Sequence, residues 1–238
     1  MLSTKNFIAL VIISLLSVTS AYAENISKEE MFSRLSSLAS SGDSDVKYNL
    51  GMFLNNGIGT PRDNKAAFKY FSEAAESGHE LASYKVGCYL AGQFPGTVQV
   101  NKAEALKYKL RAAEAGYDLA QFDVGIHYGK MHDAENAILW WERASRQGNV
   151  EATAYLANYL TSPSSPNQVK GYAVILILKE LMPSPPKSLL DSASLLETKL
   201  TTEQKSEADS IRTSWITGKT PLTLKANAGM SLVPALIK

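Results

Sequence analysis

The sequence predicts an all-α protein, a right-handed α-solenoid of stacked antiparallel helix pairs. Three observations predict it. A sixteen-residue amphipathic segment occurs three times, as DNKAAFKYFSEAAESG (63–78), NKAEALKYKLRAAEAG (101–116) and DAENAILWWERASRQG (133–148). The glycines that end successive segments, Gly42, Gly78, Gly116 and Gly148, are spaced 36, 38 and 32 residues apart. Between each glycine and the next segment lies another helical pattern with a glycine or alanine inside its apolar stripe. A two-helix unit repeated at that period buries its faces only against its neighbours, which is the logic of a solenoid.

The elements follow in order. Residues 1–23 read as a secretory signal peptide: Lys5, an apolar run from Phe7 to Val18, then Ala21-Tyr22-Ala23 with small residues at the −3 and −1 positions. The run is too short to cross a bilayer, which needs roughly 20 apolar residues. No cysteine stands at the cleavage point to carry a lipid. The mature chain is therefore expected to be periplasmic, without a membrane span. Residues 24–42 form an N-terminal capping half-repeat, with a Ser27/Glu30 capping box.

The repeat array covers 43–182. In each first helix, A, a small apolar residue (Val46, Ala82, Ala120, Ala152) is followed by the pairs Leu50-Gly51, Val86-Gly87, Val124-Gly125 and Leu156-Ala157. Leu54, Leu90, Tyr128 and Leu160 complete the stripe. A glycine inside a helix costs about 1 kcal/mol against alanine, so its recurrence predicts close approach of another backbone. Each second helix, B, places apolar residues at −11, −8, −4 and −3 from its closing glycine: Ala67, Tyr70, Ala74 and Ala75 in the first unit. The second has Ala105, Tyr108, Ala112 and Ala113; the third has Ala137, Trp140, Ala144 and Ser145, with Trp141 expected at the surface. Asp63, Asn101 and Asp133 are positioned to cap these helices. The fourth B helix, around Lys170 to Leu181, is nearly continuous aliphatic and shows neither cap nor closing glycine, so burial on several sides is expected. Residues 183–238 hold two amphipathic capping helices, KSLLDSASLLETKL and TEQKSEADSIRTSW, and a tail from Gly218 with no structure assigned.

Without Lys5, acidic and basic residues are equal in number and no basic block occurs, which argues against nucleic acid as a partner. Cys88 is the single cysteine, so no intrachain disulfide can form. Nucleophile-elbow, phosphate-loop and zinc-helix motifs are absent. His127 and His132 are five apart, off the helical spacing of two ligands. No metal, no cofactor and no catalytic residue is expected, and Cys88 reads as a packing residue. What remains is a surface. The A-helix positions two before and two after the glycine share one face and present Asn49 and Phe53, Lys85 and Tyr89, Asp123 and His127, Tyr155 and Tyr159. A helices usually line the concave side of such arrays, so these eight residues are the expected partner-binding column, its occupant a protein. The free chain is expected to be monomeric. The rival reading is an envelope hydrolase or peptidoglycan-associated protein, with Asp123 and His127 as its one candidate acid/base pair.

The first unit carries Leu50-Gly51, Leu54, Gly57-Ile58-Gly59, Asp63, Ala67, Tyr70, Ala74-Ala75 and Gly78. That pattern resembles a Sel1-like repeat, a relative of the tetratricopeptide repeat. The second unit has a longer loop, the third a shorter one, and the fourth is degenerate. The resemblance spans roughly 27–215 and implies an adaptor or scaffold role. Some periplasmic members are immunity partners of secreted phospholipases, which makes immunity one concrete form of that role. Other secreted members are cysteine-rich and linked to penicillin hydrolysis; this chain lacks their cysteine pairs.

Overall fold

The computed structural model describes residues 26–162 and 167–238. The signal-peptide expectation falls at 1–23, outside the described residues. Among the described residues the chain is helical, without strands. After α1 (Lys28–Leu38), the helices come in successive pairs: α2 (Ser44–Asn56) and α3 (Asn64–Glu76), α4 (Glu80–Leu90) and α5 (Lys102–Glu114). Then follow α6 (Asp118–Lys130) and α7 (Ala134–Arg146), α8 (Val150–Leu160) and α9 (Gln168–Leu181). Beyond them stand α10 (Lys187–Lys199), α11 (Thr202–Thr213), α12 (Pro221–Ala228), a 3-10 turn and α13 (Val233–Leu236). Consecutive helices pack as hairpins, the all-α solenoid arrangement. Two compact units result. One holds the described residues up to Ala82 with Phe94–Val98 and Ala228–Lys238; the other holds Ser83–Gln93 and Gln99–Asn227.

Local chemistry explains the repetition. Oδ1 of Asp63, Asn101 and Asp133 accepts from the backbone amide three residues on, at 2.9, 3.1 and 3.2 Å. The amide of the same three residues donates back to the carbonyl of Leu54, Leu90 and Tyr128 at 2.9, 2.9 and 3.0 Å. One bond thus closes the A–B loop of each of these three units, whatever its length. At the other end, Gly78, Gly116 and Gly148 adopt φ of 90°, 99° and 84°. The residue after each donates to the carbonyl of Ala74, Ala112 or Ala144. These bonds satisfy carbonyls that the helix end leaves open.

The mid-helix glycines make room for side chains rather than for backbone alone. A methyl group at position 51 would lie 2.7 Å from the Phe71 ring, and one at 125 would lie 2.4 Å from Trp141 Cδ1. At 87 it would meet Lys109 Cγ at 2.7 Å and the Ala105 carbonyl at 3.0 Å. The docking position on helix B is therefore −7 from the closing glycine, one residue past the predicted −8. Phe71 is fully buried while Tyr70 is half-buried, and Trp141 is as buried as Trp140. Moving to −7 gives the stripe an i, i+4, i+7, i+8 spacing, which keeps the large side chain over the glycine.

Other expectations shift too. Ser27 accepts from the Glu30 amide, but the Glu30 carboxylate is taken by Arg34 at 2.7 Å, so only half the capping box forms. A full capping box stands at Thr201/Gln204. The fourth B helix does have a cap: Asn167 accepts from the Lys170 amide at 2.9 Å. It is buried along most of its length and packs on α8, α10 and α11. There the close-approach glycine has moved from helix A to helix B, where a methyl group on Gly171 would lie 2.8 Å from the Leu160 carbonyl.

The tail is ordered. Trp215 is buried, donates through Nε1 to Ser145 Oγ at 2.8 Å, and lies 4.4 Å under the Arg146 guanidinium. Thr220 and Thr223 converge on Gln147 and the Gly116 carbonyl. Tyr117, the N-cap of α6, provides no side-chain cap, and Thr223 Oγ1 accepts from the Asp118 amide at 3.1 Å in its place. A helix start is thus capped from 105 residues away in sequence. In the other unit α13 packs on α2, with Val233 and Ile237 buried.

Candidate functional site

The eight residues of the predicted column have different surroundings. In the first unit, Asn49 and Phe53 are buried; Asn49 Nδ2 donates to the Asp45 carbonyl at 2.8 Å. Nearby, His79 caps α4: its Nδ1 accepts from the Ala82 amide at 3.1 Å, which leaves Nε2–H to donate to Asp45 at 2.9 Å. Tyr48 stacks on that imidazole at 4.5 Å, and burial beside Asp45 pushes its phenol up to about 12.

In the second unit, Tyr89 has no exposed surface and Lys85 is half-buried, its ammonium pulled below the ordinary lysine value by desolvation. Phe53 and Tyr89 therefore act as interior packing and offer a partner no contact area. Asp123 is engaged by Lys109 Nζ at 2.5 Å and by the Tyr84 hydroxyl at 3.4 Å. His127 packs edge-on to Tyr128, and no Asp123–His127 hydrogen bond forms among the described residues. Asp123 is thus held by Lys109 rather than by His127. Burial raises the Cys88 thiol above its ordinary value, as it does the Tyr84 phenol. That disfavours the thiolate a nucleophile needs. No group of three or more His, Cys, Asp or Glu side chains among the described residues could hold a metal, and no described helix is long and apolar enough to cross a membrane.

Tyr155 and Tyr159 are exposed, at 49% and 37%, and they frame a pocket of about 420 Å³. Its floor is Trp141, which lies 5.5 Å from the Tyr155 ring; Phe122 supports Tyr155 edge-on at 5.4 Å. The end of α6 supplies Ile126, Gly129 and Lys130, the loop supplies His132, and the start of α7 supplies Ala134 and Ala137. His132 holds φ of 58°, a left-handed backbone unusual for a residue with a side chain. A second, more polar hollow of about 340 Å³ contains Asp123 and His127, and shares Ile126 and Lys130 with the first. Four of the eight predicted residues thus border two adjoining hollows. Sequence reasoning missed Trp141, Lys130 and His132. The −7 register would have found Trp141; the other two sit in a short loop with no periodicity to read.

The Sel1 repeat family model matches residues 44–79, 81–117 and 118–149. Among solved structures, a Sel1 repeat protein from Oxalobacter formigenes is 30% identical, covering 52% of this chain and 95% of that one, with a TM-score of 0.46. A protective antigen of uropathogenic Escherichia coli with an SLR fold is 18% identical over 81% of this chain and 50% of its own, TM-score 0.47. An immunity protein from Pseudomonas aeruginosa is 15% identical, covering 87% and 85%, TM-score 0.35. No curated protein matches the chain.

Proposed function

The chain belongs to the Sel1 repeat family, and from that premise we propose that it is an exported, non-catalytic module that binds a protein partner. Sel1 repeats serve as protein-interaction scaffolds, and proteins built from them are generally without catalysis. The observation that carries the reading is the pocket of exposed tyrosines over a buried tryptophan. Rigid aromatic anchors in a concave site are what concentrates binding energy in protein interfaces. Export rests on the N-terminal pattern of Lys5, the apolar run and Ala21-Tyr22-Ala23.

Affinity capture from a periplasmic extract tests the proposal, comparing the wild type with the Tyr155→Ala/Tyr159→Ala double variant. A partner retained by the first and lost by the second is expected. Equal recovery from both would remove the aromatic pair, and recovery from neither would remove the function. Fractionation of cells making the tagged chain tests export, with cleavage expected after Ala23. The finer form of the proposal is immunity, in which the captured partner is a toxic effector such as a phospholipase. Co-production should then rescue cells from that effector.

A further inference from the structure

Resting on the protein-binding reading, we propose that the Trp141 pocket accepts a partner segment that presents an aromatic side chain flanked by carboxylates. The shape and walls of the pocket argue for the aromatic part. Ile126, Ala134, Ala137, Trp141, Tyr155 and Tyr159 give it apolar walls, and a volume of about 420 Å³ admits one large side chain. Aromatic rings favour the offset and edge-on packing that Trp141, Tyr155 and Phe122 already show among themselves.

The charge at the rim argues for the carboxylates. Lys130 is the cation of the lining, His132 adds an imidazole, and neither Asp nor Glu contributes to it. The nearest acid in sequence, Asp133, is committed elsewhere: its two oxygens accept from the Asn136 amide at 3.2 Å and from Asn136 Nδ2 at 2.8 Å. Three lysines of the array are neutralised, Lys47 by Glu73, Lys109 by Asp123 and Lys170 by Glu142. The adjoining hollow adds Lys102 on its other side, where Asp123 is already paired with Lys109. An arriving carboxylate meets the Lys130 ammonium, which forms no ion pair among the described residues, while a basic segment meets repulsion. His132 keeps its left-handed backbone where the first repeat uses glycines at 57 and 59, so an imidazole stands at the lip where glycine would be the easier residue.

The probe is the pentapeptide acetyl-Gly-Asp-Phe-Asp-Gly-amide, titrated into the ¹⁵N-labelled full chain and followed by amide and indole NMR shifts. Two control peptides replace its Phe by Ala or its two Asp by Lys. Saturable shifts confined to 126–134, 141 and 155–159 are expected, with affinity lower by about tenfold or more for each control. Lys130→Glu should invert the preference between the acidic and basic peptides without moving the unfolding midpoint. His132→Gly should weaken the acidic peptide while leaving stability equal or higher. Scattered shifts, equal affinity for all three peptides, or an unchanged charge preference in Lys130→Glu would overturn the proposal. The two readings fail separately. A captured protein bound equally by wild type and Lys130→Glu ends the pocket chemistry and leaves protein binding intact. Peptide selectivity with no captured protein ends the functional reading instead.

Discussion

Adding one methyl group at Gly125 should separate the two roles of the mid-helix glycine. Alanine is the better helix former by about 1 kcal/mol, so a free-standing α6 would gain from Gly125→Ala. In the folded chain that methyl would sit 2.4 Å from Trp141 Cδ1 and 2.5 Å from Nε1. Carbon atoms in contact prefer about 3.5–4.0 Å, so the indole must retreat by about 1 Å. It is 6% exposed and already packs against Tyr155, so that retreat disturbs packed neighbours. Overpacking of this kind costs about 1–3 kcal/mol. With two ring atoms this close the upper half of that range applies, and the net loss should be about 1–2 kcal/mol. In a Trp141→Ala background the obstruction is gone, and the same substitution should stabilise by about 1 kcal/mol. The sign reverses, with a coupling energy of about 2–3 kcal/mol. Urea unfolding of the four proteins, followed by far-ultraviolet circular dichroism, reads the cycle directly. A stabilising Gly125→Ala in the wild type, or the same effect in both backgrounds, would refute the docking of Trp141 on Gly125.

Three further outcomes are expected. Thr223→Val keeps the shape but removes the hydroxyl that caps α6, and should cost about 1–2 kcal/mol with faster amide exchange at Asp118; a change below about 0.3 kcal/mol would contradict the cap. Gln147→Ala strips partners from Gly116, Gln121, Thr220 and Thr223 together, and should cost about 2–3 kcal/mol, measured by thermal unfolding. Tyr48 has a folded value raised to about 12. Its contribution is therefore complete below the unfolded value of roughly 10 and is lost as pH rises through 12. Alkaline unfolding should begin in that window and be less steep in Tyr48→Phe; an identical pH profile would show that the phenol is not sheltered.

Particular residues show what was readable in advance. Asp63, Asn101 and Asp133 cap because a short side-chain oxygen placed before an apolar stripe has few other uses, and Gly78, Gly116 and Gly148 close their helices because left-handed backbone disfavours every other residue. Such effects are local, confined to one helical turn. The candidate site was only half legible. Tyr155 and Tyr159 lie on the predicted face and are exposed, yet Phe53 and Tyr89, at equivalent positions, are fully buried. Helical spacing fixes the direction of a side chain relative to its own axis and carries no information on what covers that direction.

By itself, the sequence determined the helix pairs, the caps at Asp63, Asn101 and Asp133, the glycine stops and the period that stacks them, because each depends on residues a few positions apart. Only the tertiary structure decided which of two adjacent aromatics docks on each glycine, that Lys109 rather than His127 engages Asp123, and that Thr223 caps a helix beginning at Asp118. Those outcomes depend on distances between segments far apart along the chain, set by packing of the whole unit, and no local pattern encodes them.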